Sequence, residues 1–216
     1  MPKLVDHAQR RAEIIDATLR IVARDGLAGA TMRGLAKELG VANGAVGHYF
    51  KNHDTLMLAT YEEVIARTNA RAAVRSGGRR GLKALFARLR EMLPMDQVTV
   101  DESRIVVCFW GRVTTDAALM ARLPAEHKAW KAQVRECLRQ AIDDDELRAD
   151  ADPDALADLV VTTVHAMQVR SVMVPNDTTP KAQRRIVEQI LLPWLTPGLT
   201  FSGKWPRDAA RRQAGV

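Results

Sequence analysis

The sequence predicts an all-α fold of nine helices. Apolar residues recur at three- and four-residue spacing along most of the 216-residue chain. Gly, Pro, Asp and Thr punctuate those stretches where helices start and stop. Aromatic residues are only 5%, and no segment alternates convincingly enough for a strand. Hydrophobic residues at 47% and charged residues at 27% describe an ordinary globular protein. A chain this long buries a core without disulfide or metal staples. Its two cysteines, Cys108 and Cys137, exclude a disulfide-dense scaffold and a Cys-rich zinc module, and fit a reducing compartment. No transmembrane helix and no signal peptide are expected, so the location expected is cytoplasmic.

The elements follow in order. Glu13 to Arg24 is a helix with Ile15, Leu19 and Val22 on one face, and Gly26 lies just past its end. Thr31 fits the N-cap of a short helix through Leu39, which Gly40 terminates. A third short helix is predicted over Ala42 to His48. A longer one opens at Asn52 or His53 and ends at Ser76-Gly77-Gly78. Helices are then predicted at 80–93, 101–115 and 117–143, with Met95 to Val100 as a loop. Thr99 to Phe109 is locally β-rich, but its surroundings favour helix. Asp152-Pro153 starts a helix that runs to Met173. The last spans 180–195 despite Pro193. Residues 201–216 form a basic tail, expected to be partly disordered.

Thr31 to Leu56 is the informative stretch. Two short helices joined by Leu39-Gly40-Val41 read as a helix-turn-helix, with Ala36 small at the crossing and Gly40 supplying the positive φ of the turn. The alternative is an αα-hairpin inside a helical bundle. In a helix-turn-helix the second helix enters the DNA major groove and its N-terminal residues meet base edges. Those are Ala42, Asn43 and Gly44, with His48 further along. Asn43 can bond adenine bidentately, or it caps the helix or touches a phosphate. His48 is a base or phosphate donor, or a packing residue. Tyr49 suits a phosphate oxygen, and Thr31, Arg33 and Lys51 are backbone-positioning candidates or plain surface residues. The net charge of +6 permits nucleic-acid binding without locating it, since residues 1–60 hold eight Lys/Arg against six acids.

The run Thr31-Met32-Arg33-Gly34-Leu35-Ala36-Lys37-Glu38-Leu39-Gly40-Val41-Ala42-Asn43-Gly44, followed by His48-Tyr49-Phe50 and Leu56, resembles the N-terminal domain of TetR-family transcriptional regulators. The His-Tyr-Phe ending looks most like the BetI-type branch. The strong resemblance covers about residues 10–60. Two positions depart from it, since Gly47 and His53 stand where many members carry a phosphate-contacting Tyr and a Lys. The resemblance implies a nine-helix TetR-like fold with a helix-turn-helix domain at 1–53 and a ligand-binding and dimerisation domain at 54–200. It also implies a homodimer through the helices at 155–173 and 180–195, a palindromic double-stranded DNA operator, and repression relieved by a small-molecule effector.

Ligand-facing candidates are aromatic and polar residues on otherwise apolar helices: Phe109, Trp110, Arg112, Trp130, His165 and Gln168. Plain core packing is the competing reading for each aromatic. The branch suggests a quaternary-ammonium effector in an aromatic cage, which Phe109, Trp110 and Trp130 would have to build. Two other readings stay open: a regulator of the same fold without a small-molecule effector, and a helical enzyme. No catalytic residue, metal ligand set or cofactor is predicted. GxSxG, P-loop and GxGxxG motifs do not occur, and Asp143-Asp144-Asp145-Glu146 reads as a solvated helix end.

Overall fold

A computed structural model describes residues 7–111 and 117–201. Among them are eight α-helices: α1 (His7–Asp25), α2 (Met32–Glu38), α3 (His53–Ser76), α4 (Gly81–Met92), α5 (Gln97–Trp110), α6 (Ala117–Asp143), α7 (Pro153–Met173) and α8 (Pro180–Leu191). The extended contact among these residues is one isolated antiparallel bridge, Leu147 to Leu195. Arg112 and, past residue 201, the predicted basic tail lie outside the described residues.

The ninth predicted helix is not an α-helix. Val46–His48 is one turn of 3₁₀ helix, entered through turns at Asn43 to Ala45. Its bonds run three residues back, from Gly47 N–H to the Gly44 carbonyl at 3.1 Å and from His48 N–H to Ala45 at 3.3 Å. Asn43, Gly44 and Gly47 are poor helix formers, so the segment closes the tighter turn.

Other boundaries differ for local reasons. α1 begins at His7, because the polar run before Glu13 is made of good helix formers that an apolar pattern does not register. α5 begins at Gln97 rather than 101. Asp96 caps it, accepting from Thr99 N–H at 3.1 Å, while Thr99 Oγ1 accepts from Asp96 N–H at 3.1 Å. That reciprocal pair is a capping box in a stretch expected to be loop. α8 stops at Leu191 and a 3₁₀ turn, Leu192–Trp194, follows, since Pro193 brings no N–H to continue the ladder.

Several predicted signals are used as written. Thr31 Oγ1 accepts from Gly34 N–H at 3.0 Å. Gly40 has φ +65, and Val41 N–H bonds the Ala36 carbonyl at 2.9 Å to close the turn. Asn52 and Thr55 form a capping box on α3. Asp152 Oδ1 accepts from Asp154 N–H at 2.9 Å and Ala155 N–H at 3.2 Å, with Pro153 at the first helical position.

Two hydrophobic clusters hold the helices. One gathers Ile14, Ile21, Leu35, Val46, Phe50, Leu56 and Val64, and reaches Ile105, Val106 and Phe109 of α5. The other gathers Leu85, Leu89, Leu138, Val160, Val164 and Leu191 from α4, α6, α7 and α8. α3 therefore starts inside the N-terminal cluster and runs out along the second bundle. The start of α4 is capped from afar: Glu146 Oε2 accepts from Leu82 N–H at 2.7 Å. A Cβ at Gly81 (φ +55) would stand 2.1 Å from that oxygen, so only glycine fits there.

Candidate functional site

The helix-turn-helix leaves most of its predicted contact residues open to solvent. Thr31 and Arg33 at the start of α2, Ala42, Asn43, Gly44 and His48 on the recognition turn, and Lys51 after it are all exposed. The Thr31 hydroxyl is already engaged as a helix cap. Among the described residues no carboxylate pairs with Arg33 or Lys51, so both cations face solvent. Tyr49 is half-buried, its ring centroid 4.9 Å from that of His7. Val46 and Phe50 point inward and are buried, which fixes the outward side of the turn as the side that can read. Gly47 has open space where a Cβ would go, and His53 Nε2 lies 3.0 Å from the Ala30 carbonyl. The His53 ring thus ties the start of α3 to the segment before α2.

A cavity of about 560 Å³ opens among α3, α4, α5, α6 and α7. Trp110, Trp130, His165 and Gln168 line it. Phe109 does not. It packs in the N-terminal cluster, its ring stacked on Tyr61 at 3.9 Å and 8°. Tyr61, which the sequence reading missed, takes the place in the wall and donates its hydroxyl to Glu126 Oε2 at 2.6 Å. Gln168 faces the cavity with one of its two amide N–H groups donated to the Met92 carbonyl at 2.9 Å, which holds the side chain in place.

The polar side of the cavity was also missed. Glu91 and Glu102 are buried in its wall. Arg71 of α3 bridges both, at 2.7 Å to Glu91 and 2.6 Å to Glu102, and Arg75 reaches Glu91 at 2.6 Å. Burial pushes the Glu102 carboxyl up from its ordinary range, and the hydrogen-bonded Arg71 guanidinium opposes that shift. His165 has its ring 4.9 Å from Trp110, edge-on, and 5.6 Å from His127. Burial, then the neighbouring His127, pulls the His165 imidazole below its ordinary value. The cavity is therefore aromatic and apolar, with a compensated ion cluster in one wall and a neutral imidazole in another. Glu126 lines it as well.

Residues 14–60 match the family model described as bacterial regulatory proteins of the tetR family. Residues 81–192 match that of the BetI-type transcriptional repressor C-terminal domain. The chain is 27% identical to the HTH-type transcriptional regulator PksA of Bacillus subtilis, over 88% of this chain and 91% of that protein. It is 35% identical to the regulator BetI of Burkholderia ambifaria over 55% of this chain and 62% of that protein, so the match spans under two thirds of BetI. Among solved structures, the fold is shared with a transcriptional regulator of Saccharomonospora viridis in complex with choline. The TM-score is 0.77 at 16% identity, covering 86% of this chain and 96% of that one. The SmeT–triclosan complex superposes with a TM-score of 0.68 at 21% identity over 94% and 99% of the two chains.

Proposed function

The chain belongs to the TetR family of bacterial transcriptional regulators, with a C-terminal domain of the BetI type, and from that premise we propose a cytoplasmic homodimeric repressor released by a small-molecule effector. Residues 1–53 read DNA, and residues 54–200 bind the effector and the second subunit. Asn43 is the base reader, with Ala42, Gly44 and His48 beside it. Arg33, Tyr49 and Lys51 set the turn against the phosphates.

The observation that carries this reading is the double duty of α3. Its first residues continue from the recognition turn, and Tyr61, Val64, Ile65 and Thr68 line the cavity. An effector that pushes on Tyr61 moves the helix that carries the reading head. It shifts the equilibrium only if it binds the DNA-incompetent arrangement better. The wall chemistry favours an apolar body with a cationic head. Tyr61, Trp110 and Trp130 supply aromatic faces, Glu126 a carboxylate, and neutral His165 no competing charge. Choline in the S. viridis structure agrees with that class, although a cavity of about 560 Å³ has room for a larger molecule.

Selection of bound sequences from a random duplex pool at stated salt tests the DNA half. A palindrome with half-sites one helical turn, about 34–36 Å, apart supports it, and no enrichment at low salt rejects it. Thermal stabilisation by quaternary-ammonium compounds, lost in Trp130→Ala, tests the effector half; equal melting with and without them rejects that class.

A further inference from the structure

The recognition turn is too short to hold its own shape. One 3₁₀ turn containing Gly47 and following Gly44 has few internal bonds and high chain entropy to lose. Val46 and Phe50 anchor its inner side. Its C-terminal end has a second anchor from α1. Arg11 Nη1 donates to the Tyr49 carbonyl at 2.5 Å, and the Arg11 guanidinium carbon lies 4.2 Å from the Phe50 ring centroid. The same flat group thus satisfies a terminal carbonyl and stacks on the aromatic that plugs the turn into the core. Arg10 beside it does neither, being paired with Glu13.

We propose that Arg11 is a positioning residue for DNA reading: it fixes the Tyr49 backbone, and through it the outward angle of Asn43 to His48, without itself neutralising a phosphate. The proposal rests on the DNA-reading function given above. A turn left without this tie samples orientations that cannot enter the groove, and apparent affinity falls by the fraction that remains competent.

The test compares the full chain with Arg11→Gln and Arg11→Lys on the selected operator and on an unrelated duplex, across a salt series. Arg11→Gln should lose about tenfold or more of operator affinity with its nonspecific affinity and salt slope unchanged. Arg11→Lys keeps a donor but no flat cation, and should fall between. A salt slope shallower by about 0.9 would make Arg11 a phosphate contact, and unchanged operator affinity would remove the role; either overturns the proposal. In the free protein, Arg11→Gln should speed amide exchange over residues 46–50 while the melting temperature holds. Unchanged exchange there would contradict the tie whether or not the wild type finds an operator, so a failure of the DNA-reading function stays distinguishable.

Discussion

Arg71 of α3 bridges the two buried carboxylates of the cavity wall. It lies between two carboxylates that are nearly or wholly removed from water, Glu91 and Glu102. Such a cluster adds little net stability over an apolar replacement, but breaking it strands a buried charge. Arg71→Met should therefore cost roughly 3 kcal/mol in urea unfolding, and Glu102→Gln much less, because the amide still accepts from Arg71. Equal, small losses would mean that the pairs are solvated. His165 gives a second expectation with a definite sign. Its folded value is depressed, so below an ordinary value of 6.5 the unfolded chain binds more protons than the folded one. Stability from this group is full above that pH and lost as pH falls through the window beneath it. Melting temperatures of wild type should drop more steeply than those of His165→Asn between pH 6.5 and the folded value; parallel curves would rule this out. Neither group was equally legible in the sequence. His165 stood out on an apolar helix. Glu91, Glu102 and Arg71 did not, because the bonds that join them span 20 and 31 residues and cross three helices.

At the scale of elements, the helix boundaries most legible in the sequence are those set by caps. Thr31, Gly40, Asn52 and Asp152 act through local geometry that a sequence displays directly. Asp96 and Thr99 act by the same local geometry, but they sit next to a β-rich run that masks the helix start. The recognition segment shows the converse. The helix-turn-helix pattern predicts a short helix there, whereas Gly44 and Gly47 disfavour helix and the chain makes a single 3₁₀ turn. Phe109 marks a further limit. Periodicity puts Phe109 and Trp110 on α5, but adjacent residues on a helix point about 100° apart, and only packing decides which one faces the cavity. Couplings between elements were invisible for the same reason. Arg67 joins α3 to α1 through Asp16 at 2.6 Å, and Arg104 of α5 donates to the Ala23 carbonyl at 3.3 Å. α1 is thereby bound to two of the five helices that line the cavity.

For the whole molecule, the outer side of α7 is the feature that asks for a partner. Leu159, Thr162, Ala166 and Met173 are exposed along it, Leu159 at 48% and Met173 at 74%. Thr162 and Ala166 also line the cavity. A second subunit docked on this strip would cover apolar surface and close one side of the effector site together. Small residues between the two large ones suit a close helix pair. Leu159→Lys should give a monomer in sedimentation, with operator affinity reduced far beyond the loss of one contact, since two linked half-sites bind much more tightly than one. A dimer that persists would place the interface elsewhere. Among the described residues no helix is long and apolar enough to cross a membrane.

If the cavity and the recognition turn report to each other through α3, a ligand in the one must change DNA binding by the other. The direct measurement is operator affinity at fixed salt, with and without a quaternary-ammonium compound that has first been shown to bind, in wild type and in Tyr61→Phe. The compound should weaken operator binding in wild type, and less so in Tyr61→Phe, in which the hydroxyl link to Glu126 is absent. The same operator affinity with and without the bound compound would contradict that coupling.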